Sequence, residues 1–112
     1  MKTDFETFWR EIVVWLSSRQ RIITNWTKFH EHEQIGEKFE AEYKNGDYIL
    51  AYPEPPAKVQ RIPKEDFKII YDKWEEYTKG ILPRSYFVHG PIAKSRFTKY
   101  TISIIHEYIN QR

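Results

Sequence analysis

The chain has 112 residues, the length of one compact domain, and it contains no cysteine, which excludes disulfides, iron–sulfur clusters and thiol chemistry. Its formal net charge is only +2 although 30% of the residues are charged, so positive and negative charges are nearly balanced overall. Acidic residues near the start, at Asp4, Glu6 and Glu11, argue against a signal peptide, and no apolar run is long enough to span a membrane. We therefore expect a single domain over residues 1–112 and a cytoplasmic location.

An amphipathic helix is predicted at residues 4–18. The apolar residues in this segment recur at steps of three and four, which places them on one helix face: Phe5, Phe8, Trp9, Ile12, Trp15 and Leu16. Thr3 and Glu6 form a capping-box pattern at the start of this helix, so Thr3 is the predicted N-cap.

The predicted sheet contains a strand at residues 21–28 and a hairpin at residues 38–52, with a polar loop at 29–36 between them. The first strand is rich in β-branched and aromatic residues. Apolar and charged residues alternate before Asn45-Gly46, the preferred pair for a two-residue type I′ turn, and apolar residues resume after it. Such a turn fixes the register and turns one apolar face into the core, with Phe39 opposite Tyr52, Ala41 opposite Leu50 and Tyr43 opposite Tyr48.

The second half of the chain is predicted to be mainly helical. Residues 63–79 carry their apolar side chains on one helix face, and Gly80 follows as a helix stop. Residues 95–110 fit a helix with Ser95 as its N-cap, but their β-branched residues also alternate as in a strand. The helical face extends over more turns, so a helix is favoured. Two stretches are predicted to be extended or irregular: residues 53–61 and 81–93.

These elements predict an α+β fold, in which a small antiparallel sheet packs against the helices at 4–18, 63–79 and 95–110. In this chain the second helix begins Pro63-Lys64-Glu65-Asp66, and His89-Gly90-Pro91 lies after that helix. The predicted order helix–strand–strand–strand–helix resembles that of the double-stranded-RNA-binding fold. That family, however, has a lysine-rich start to its second helix and a Gly-Pro-x-His loop between its first two strands. The resemblance therefore concerns element order alone and assigns no functional residue.

Few residue patterns in this chain point to catalysis or to metal binding. His30-Glu31-His32-Glu33 contains two histidines and two carboxylates, but in a predicted loop it is interpreted as a solvated polar segment. The chain has no nucleophile-elbow pattern, and its four glycines are too scattered for a phosphate-binding loop. We therefore expect a non-enzymatic protein with no catalytic residue, no metal and no cofactor. An enzyme whose residues meet only on folding stays open as an alternative.

Charges are distributed unevenly along the chain. Between Lys28 and Glu54 three lysines stand against seven acids, whereas between Lys79 and Arg112 six lysines and arginines stand against Glu107 alone. Cations interleaved with aromatic residues at a helix start suit phosphate binding, because the helix dipole and free backbone N–H groups there favour an anion. The predicted nucleic-acid contacts are Lys94, Arg96 and Lys99 to phosphate, with Arg84 beside them and Tyr100 for base stacking.

Two alternatives follow from the aromatic content of 17%. Rings with neighbouring carboxylates can line a pocket for a small cationic ligand, and surplus rings can instead build a symmetric homodimer. The residues predicted for the pocket are Trp26, Tyr43, Tyr48, Tyr52, Tyr71 and Trp74. The sequence thus predicts a binding module with nucleic acid as its first partner, and a homodimeric interaction protein or a small-ligand-binding protein as the alternative.

Overall fold

The computed structural model describes residues 3–29, 32–54, 57–89 and 97–111, without the side chains of Phe29 and His89. In chain order the elements are α1 (Phe5–Ser17), β1 (Arg21–Phe29), β2 (His32–Glu42), β3 (Tyr48–Tyr52), β4 (Gln60–Pro63), α2 (Lys64–Tyr71), α3 (Trp74–Thr78), α4 (Arg84–His89) and α5 (Thr98–Gln111). The four strands form one antiparallel sheet in the order β1-β2-β3-β4 and pack against the helices. The predicted α+β fold is confirmed.

Helix α1 forms as predicted, but its N-cap is a different residue. The Asp4 carboxylate accepts the backbone N–H of Thr7 at 2.9 Å, the role that the sequence pattern assigned to Thr3. Asp4 directly precedes the first helical residue and has an extended backbone, so its short side chain reaches the free N–H groups of the first turn. This hydrogen bond lowers the pKa of Asp4. The capping-box prediction for Thr3 and Glu6 is therefore wrong.

Strand β1 forms as predicted, whereas the described part of the predicted loop at 29–36 belongs to strands, with Phe29 in β1 and residues 32–36 in β2. β2 begins at His32 and pairs with β1, with a register shift where Asn25 faces both Gly36 and Glu37. The Asn25 side chain donates to the Glu37 carbonyl at 2.6 Å and so bridges this shift. The first seven residues of β2 are all exposed, so they lack the apolar alternation that identifies a strand in a sequence.

The hairpin between β2 and β3 has a different register from the predicted one. Leu50 lies opposite Glu42 instead of Ala41, because residues 43–47 form a longer connection than the expected two-residue turn. A shift of one residue moves every side chain of a strand to the other face of the sheet. Ile49 therefore occupies the core position expected for Leu50. The predicted core positions of three residues are wrong: Tyr48, Leu50 and Tyr52 lie on the opposite face.

Elements after the hairpin are more numerous than predicted. β4 includes the end of the stretch 53–61 and pairs with β3, so the sheet gains a fourth strand. The predicted helix at 63–79 is two helices, α2 and α3, separated by a turn at Asp72-Lys73. Gly80 follows α3 with a φ of 79°, a left-handed conformation that glycine adopts without strain. The segment 81–93, predicted to be irregular, contains α4.

The last segment is helical, as favoured, and α5 lies beside β1. Ser95, its predicted N-cap, lies outside the described residues. Ser103 on α5 accepts the backbone N–H of Trp26 at 2.9 Å, and the Tyr77 hydroxyl accepts the backbone N–H of Lys28 at 2.7 Å. These contacts satisfy donors that an edge strand otherwise exposes, and they fix α3 and α5 against β1.

The helices cover one face of the sheet, and none of the described elements covers the other face. The covered face contributes to the core through Ile23, Phe39, Ala41, Ile49, Ala51 and Ile62. Residues opposite each other in antiparallel strands share a face, so the other side carries Ile22, Glu40, Glu42, Tyr48, Leu50, Tyr52 and Arg61. We call this second side the uncovered face. Within the ranges that the structure describes, no helix has the length and apolarity needed to cross a membrane.

Candidate nucleic-acid interface

A groove lies between the β1–β2 hairpin and the starts of α4 and α5. It consists of two adjoining cavities of about 560 Å³ and about 340 Å³, which share Thr27, Gln34 and Arg84 as lining residues. The larger cavity is also lined by Lys28, His32, Pro83 and Ser85, and the smaller one by Asn25, Trp26, Ile35, Gly36 and Lys99.

The charged residues in the described part of this lining are all cationic. Lys28, Arg84 and Lys99 contribute them from β1, α4 and α5, and none of the described residues lining either cavity is acidic. Glu33 lies opposite Lys28 in the strand pairing but outside the lining. Because the three cations are far apart in the chain, only the fold brings them together. We call the two cavities the cationic groove.

Lys28 and Arg84 are positioned around the buried hydroxyl of Tyr77. That hydroxyl accepts the backbone N–H of Lys28, and the Lys28 ammonium donates to the backbone carbonyl of Thr78. Burial raises the pKa of Tyr77, while the Lys28 N–H and the nearby positive charge of Arg84 oppose that shift. Arg84 and Lys28 also line the same cavity.

The start of α5 carries Lys99, but it is not a free anion site. The buried carboxylate of Asp66, which is 4% exposed, accepts the backbone N–H of Phe97 at 3.1 Å. An internal carboxylate therefore already occupies a backbone N–H group at the helix start, where a phosphate was expected to bind. Lys99 itself is exposed and lines the smaller cavity, so its side chain is accessible to a ligand in the groove.

The predicted nucleic-acid contacts are distributed as follows. Arg84 and Lys99 meet at the smaller cavity of the cationic groove. Tyr100 is half-buried, with its ring centroid 5.0 Å from that of Phe39, and it is not part of the lining. Two further predicted contacts lie outside the described residues: Lys94 and Arg96.

Sequence reasoning missed the β1 and β2 side of the groove. Lys28, Thr27 and Gln34 belong to it, and the first two were assigned to a strand without a functional role. Gln34 fell within the predicted loop. No local pattern marks these residues, and the only available signal was the lysine that ends an otherwise uncharged stretch of β1, residues 22–28.

The six aromatic residues predicted to line a pocket lie in different parts of the molecule. Trp26 and Trp74 are neighbours in the core, with ring centroids 6.1 Å apart. Tyr71 packs against Phe8, with ring centroids 4.3 Å apart. Tyr43 lies in the connection after β2 and packs against the core. The remaining two, Tyr48 and Tyr52, lie on the uncovered face.

The histidine-rich segment contributes to the groove through His32. Its neighbours His30 and Glu31 lie outside the described residues, so the spacing of the two histidines is not seen. Among the residues that the structure does describe, no group of three or more side chains of metal-ligand type is placed to hold an ion. His32 lines the larger cavity beside Lys28.

His106 stacks on the buried ring of Trp26 behind the groove. The two rings are nearly parallel, with centroids 3.8 Å apart and an interplanar angle of 5°. Burial lowers the pKa of His106, and the carboxylate of Glu33 partly opposes this shift. The folded protein therefore holds His106 neutral at pH values where the unfolded chain already binds a proton.

We expect the free energy of unfolding to fall as the pH is lowered from about 7.5 to about 5.5. Because the pKa of His106 is lower in the folded protein, its contribution to the free energy of unfolding is fully present above the unfolded pKa of about 6.5. This contribution is lost as the pH falls through the pKa of the folded state. Urea unfolding at the two pH values measures the loss. His106→Phe keeps a ring on Trp26 and removes the titration, so it should reduce the pH dependence; an unchanged dependence would contradict this assignment.

Comparison of the chain with protein-family models, with curated proteins and with solved structures finds no match. The functional inference rests on the residues of the groove.

Proposed function

We propose that this protein is a non-enzymatic nucleic-acid-binding module and that the cationic groove is its binding site. The observation that supports this most strongly is the meeting of Arg84 and Lys99, from two different helices, at one cavity that adjoins the cavity of Lys28. The described lining of both cavities contains three cations and no carboxylate. Such a lining favours an anionic ligand.

Phosphate groups suit this lining best. Lysine and arginine bind phosphate through charge-assisted hydrogen bonds, and Thr27, Gln34 and Ser85 add neutral donors along the same walls. Lys28 lines only the larger cavity and Lys99 only the smaller one, so the cations follow the groove instead of converging on one point. A chain of phosphates matches this arrangement better than a single small anion does.

Removal of two groove cations is expected to weaken binding. In Arg84→Ala/Lys99→Ala we expect an affinity about tenfold lower at about 50 mM salt, because fewer phosphate contacts form and binding then releases fewer counterions. The slope of log affinity against log salt should become shallower by about two units. Fluorescence anisotropy of labelled oligonucleotides, measured from about 50 to about 200 mM salt, provides both quantities.

A matched control removes the same charge elsewhere. Arg19 and Lys58 are exposed, precede β1 and β4, and do not belong to the described groove lining. Arg19→Ala/Lys58→Ala should keep the affinity within about twofold and the salt slope nearly unchanged, since no groove contact is lost. Equal weakening in both double variants would show that only overall charge matters, and absence of binding at low salt would refute the proposal.

Self-association through the uncovered face is the second candidate function. Ile22 is 61% exposed there, and Tyr48, Leu50 and Tyr52 lie half-buried on the same face, across Glu40 of β2, with no covering helix among the described elements. Apolar groups left on an open sheet face are suited to burial against a second copy of the chain. The small-ligand alternative has less support, because its six residues are dispersed.

Light scattering at high micromolar concentration should give the mass of a dimer if this face associates. Ile22→Glu should then shift the mass towards the monomer, because it places a charge in the contact. Val14 offers a matched control, since it is 67% exposed on α1, away from the sheet face. A monomer mass for the unmodified protein, or equal effects of Ile22→Glu and Val14→Glu, would exclude this mode of association.

A further inference from the structure

We infer that the cationic groove takes double-stranded nucleic acid in preference to single strands and contacts it through backbone phosphates. This inference rests on the proposed function and specifies the form of its ligand. Three features of the groove support it: the way its cations are held, the burial of its aromatic ring and its length.

The cations of the groove project from packed elements, and the side chain of Lys28 is also held in place. The Lys28 side chain is tied to the carbonyl of Thr78, and its backbone N–H is held by the buried Tyr77. Arg84 is the first residue of α4, and Lys99 is the second residue of α5. A duplex presents phosphates at fixed spacings and can match such an array without reordering. A flexible single strand loses conformational freedom when it adopts the same spacing, which weakens its binding.

Proteins that bind single strands offset this loss by stacking bases on exposed aromatic rings. The groove offers no such surface at Trp26, which is 5% exposed and has His106 stacked on it at 3.8 Å. The other ring in the described lining is the His32 imidazole, which is small and belongs only to the larger cavity. The ligand interactions available to this lining are therefore mainly those with phosphates.

The length of the groove agrees with the number of its cations. Asn25 lines the smaller cavity and Lys28 the larger one, and three residues of a strand span about 10 Å. Each of the three cations along this length can contact one phosphate of a duplex strand. Three contacts predict a slope of about −2.7 for log affinity against log salt on duplex DNA, and any further contact makes it steeper.

Anisotropy titrations with duplex DNA, duplex RNA and single-stranded DNA of equal length test the inference. At about 50 mM salt we expect at least one duplex to bind about tenfold more tightly than the single strand, with a slope of about −2.7 or steeper. The stronger of the two duplexes identifies the natural form of the ligand. Arg84→Ala/Lys99→Ala should lose this preference, whereas Arg19→Ala/Lys58→Ala should keep it.

The possible results separate this inference from the proposed function. A preference for the better duplex of less than about threefold, or tighter binding of the single strand, overturns the inference and leaves nucleic-acid binding standing. A preference that survives in Arg84→Ala/Lys99→Ala also overturns it, since the duplex would then bind elsewhere. Failure of all three probes to bind at low salt refutes both the inference and the proposed function.

Discussion

Replacement of Ile49 by alanine is expected to lower the free energy of unfolding by about 3 kcal/mol, whereas Leu50→Ala should cost only about 1 kcal/mol. Ile49 is fully buried on the covered face of the sheet, opposite Ile62 on β4. Its truncation leaves a cavity between the sheet and the helices. Leu50 is half-buried on the uncovered face, where solvent can fill the space that its side chain vacates.

Urea unfolding of the two variants, followed by tryptophan fluorescence, measures this difference. The comparison is stringent because the two residues are adjacent and have side chains of equal size. The order of the two effects reports directly which face of β3 is buried. A larger loss of unfolding free energy in Leu50→Ala than in Ile49→Ala would support the register that a two-residue turn at Asn45-Gly46 predicts. It would contradict the pairing of Leu50 with Glu42.

Loss of the buried carboxylate in Asp66→Ala should cost about 2 kcal/mol of unfolding free energy. Asp66 is 4% exposed and accepts the backbone N–H of Phe97, so its removal leaves a donor unpaired where α5 begins. Urea unfolding of the variant measures this loss.

Asp72→Ala serves as the control for Asp66→Ala. Asp72 follows α2 directly, is exposed and pairs with Lys68 at 3.0 Å. An exposed pair of this kind contributes little, so its loss should change the unfolding free energy by no more than about 0.5 kcal/mol. Equal losses of stability in the two variants would mean that the contact between Asp66 and Phe97 does not hold the start of α5.

Two of the three cations in the described lining of the groove were accessible to sequence reasoning. Arg84 and Lys99 were identified because they belong to a run of cations in the last third of the chain, and charge runs are visible in a sequence. Lys28 was not identified, since it lies in a segment where acids outnumber lysines. The expected phosphate site at the start of α5 was assigned without knowledge of Asp66, which comes from another helix and occupies part of it.

The sequence by itself determined those elements whose periodicity dominates a whole segment. α1 and α5 follow from apolar residues at helical spacing, and β1 from its β-branched and aromatic residues, because these are local properties. β2 was only partly identified, since its exposed first half has no apolar alternation.

Only the tertiary structure decided which face of β3 is buried and which cations meet. Both faces of β3 are apolar, with Ile49 and Ala51 on one and Tyr48, Leu50 and Tyr52 on the other, so its pattern fits either register. The connection at residues 43–47 and the packing of the helices select one of them. The cationic groove likewise exists because α3, α4 and α5 pack beside β1, and contacts between residues distant in the chain are not encoded in any local pattern.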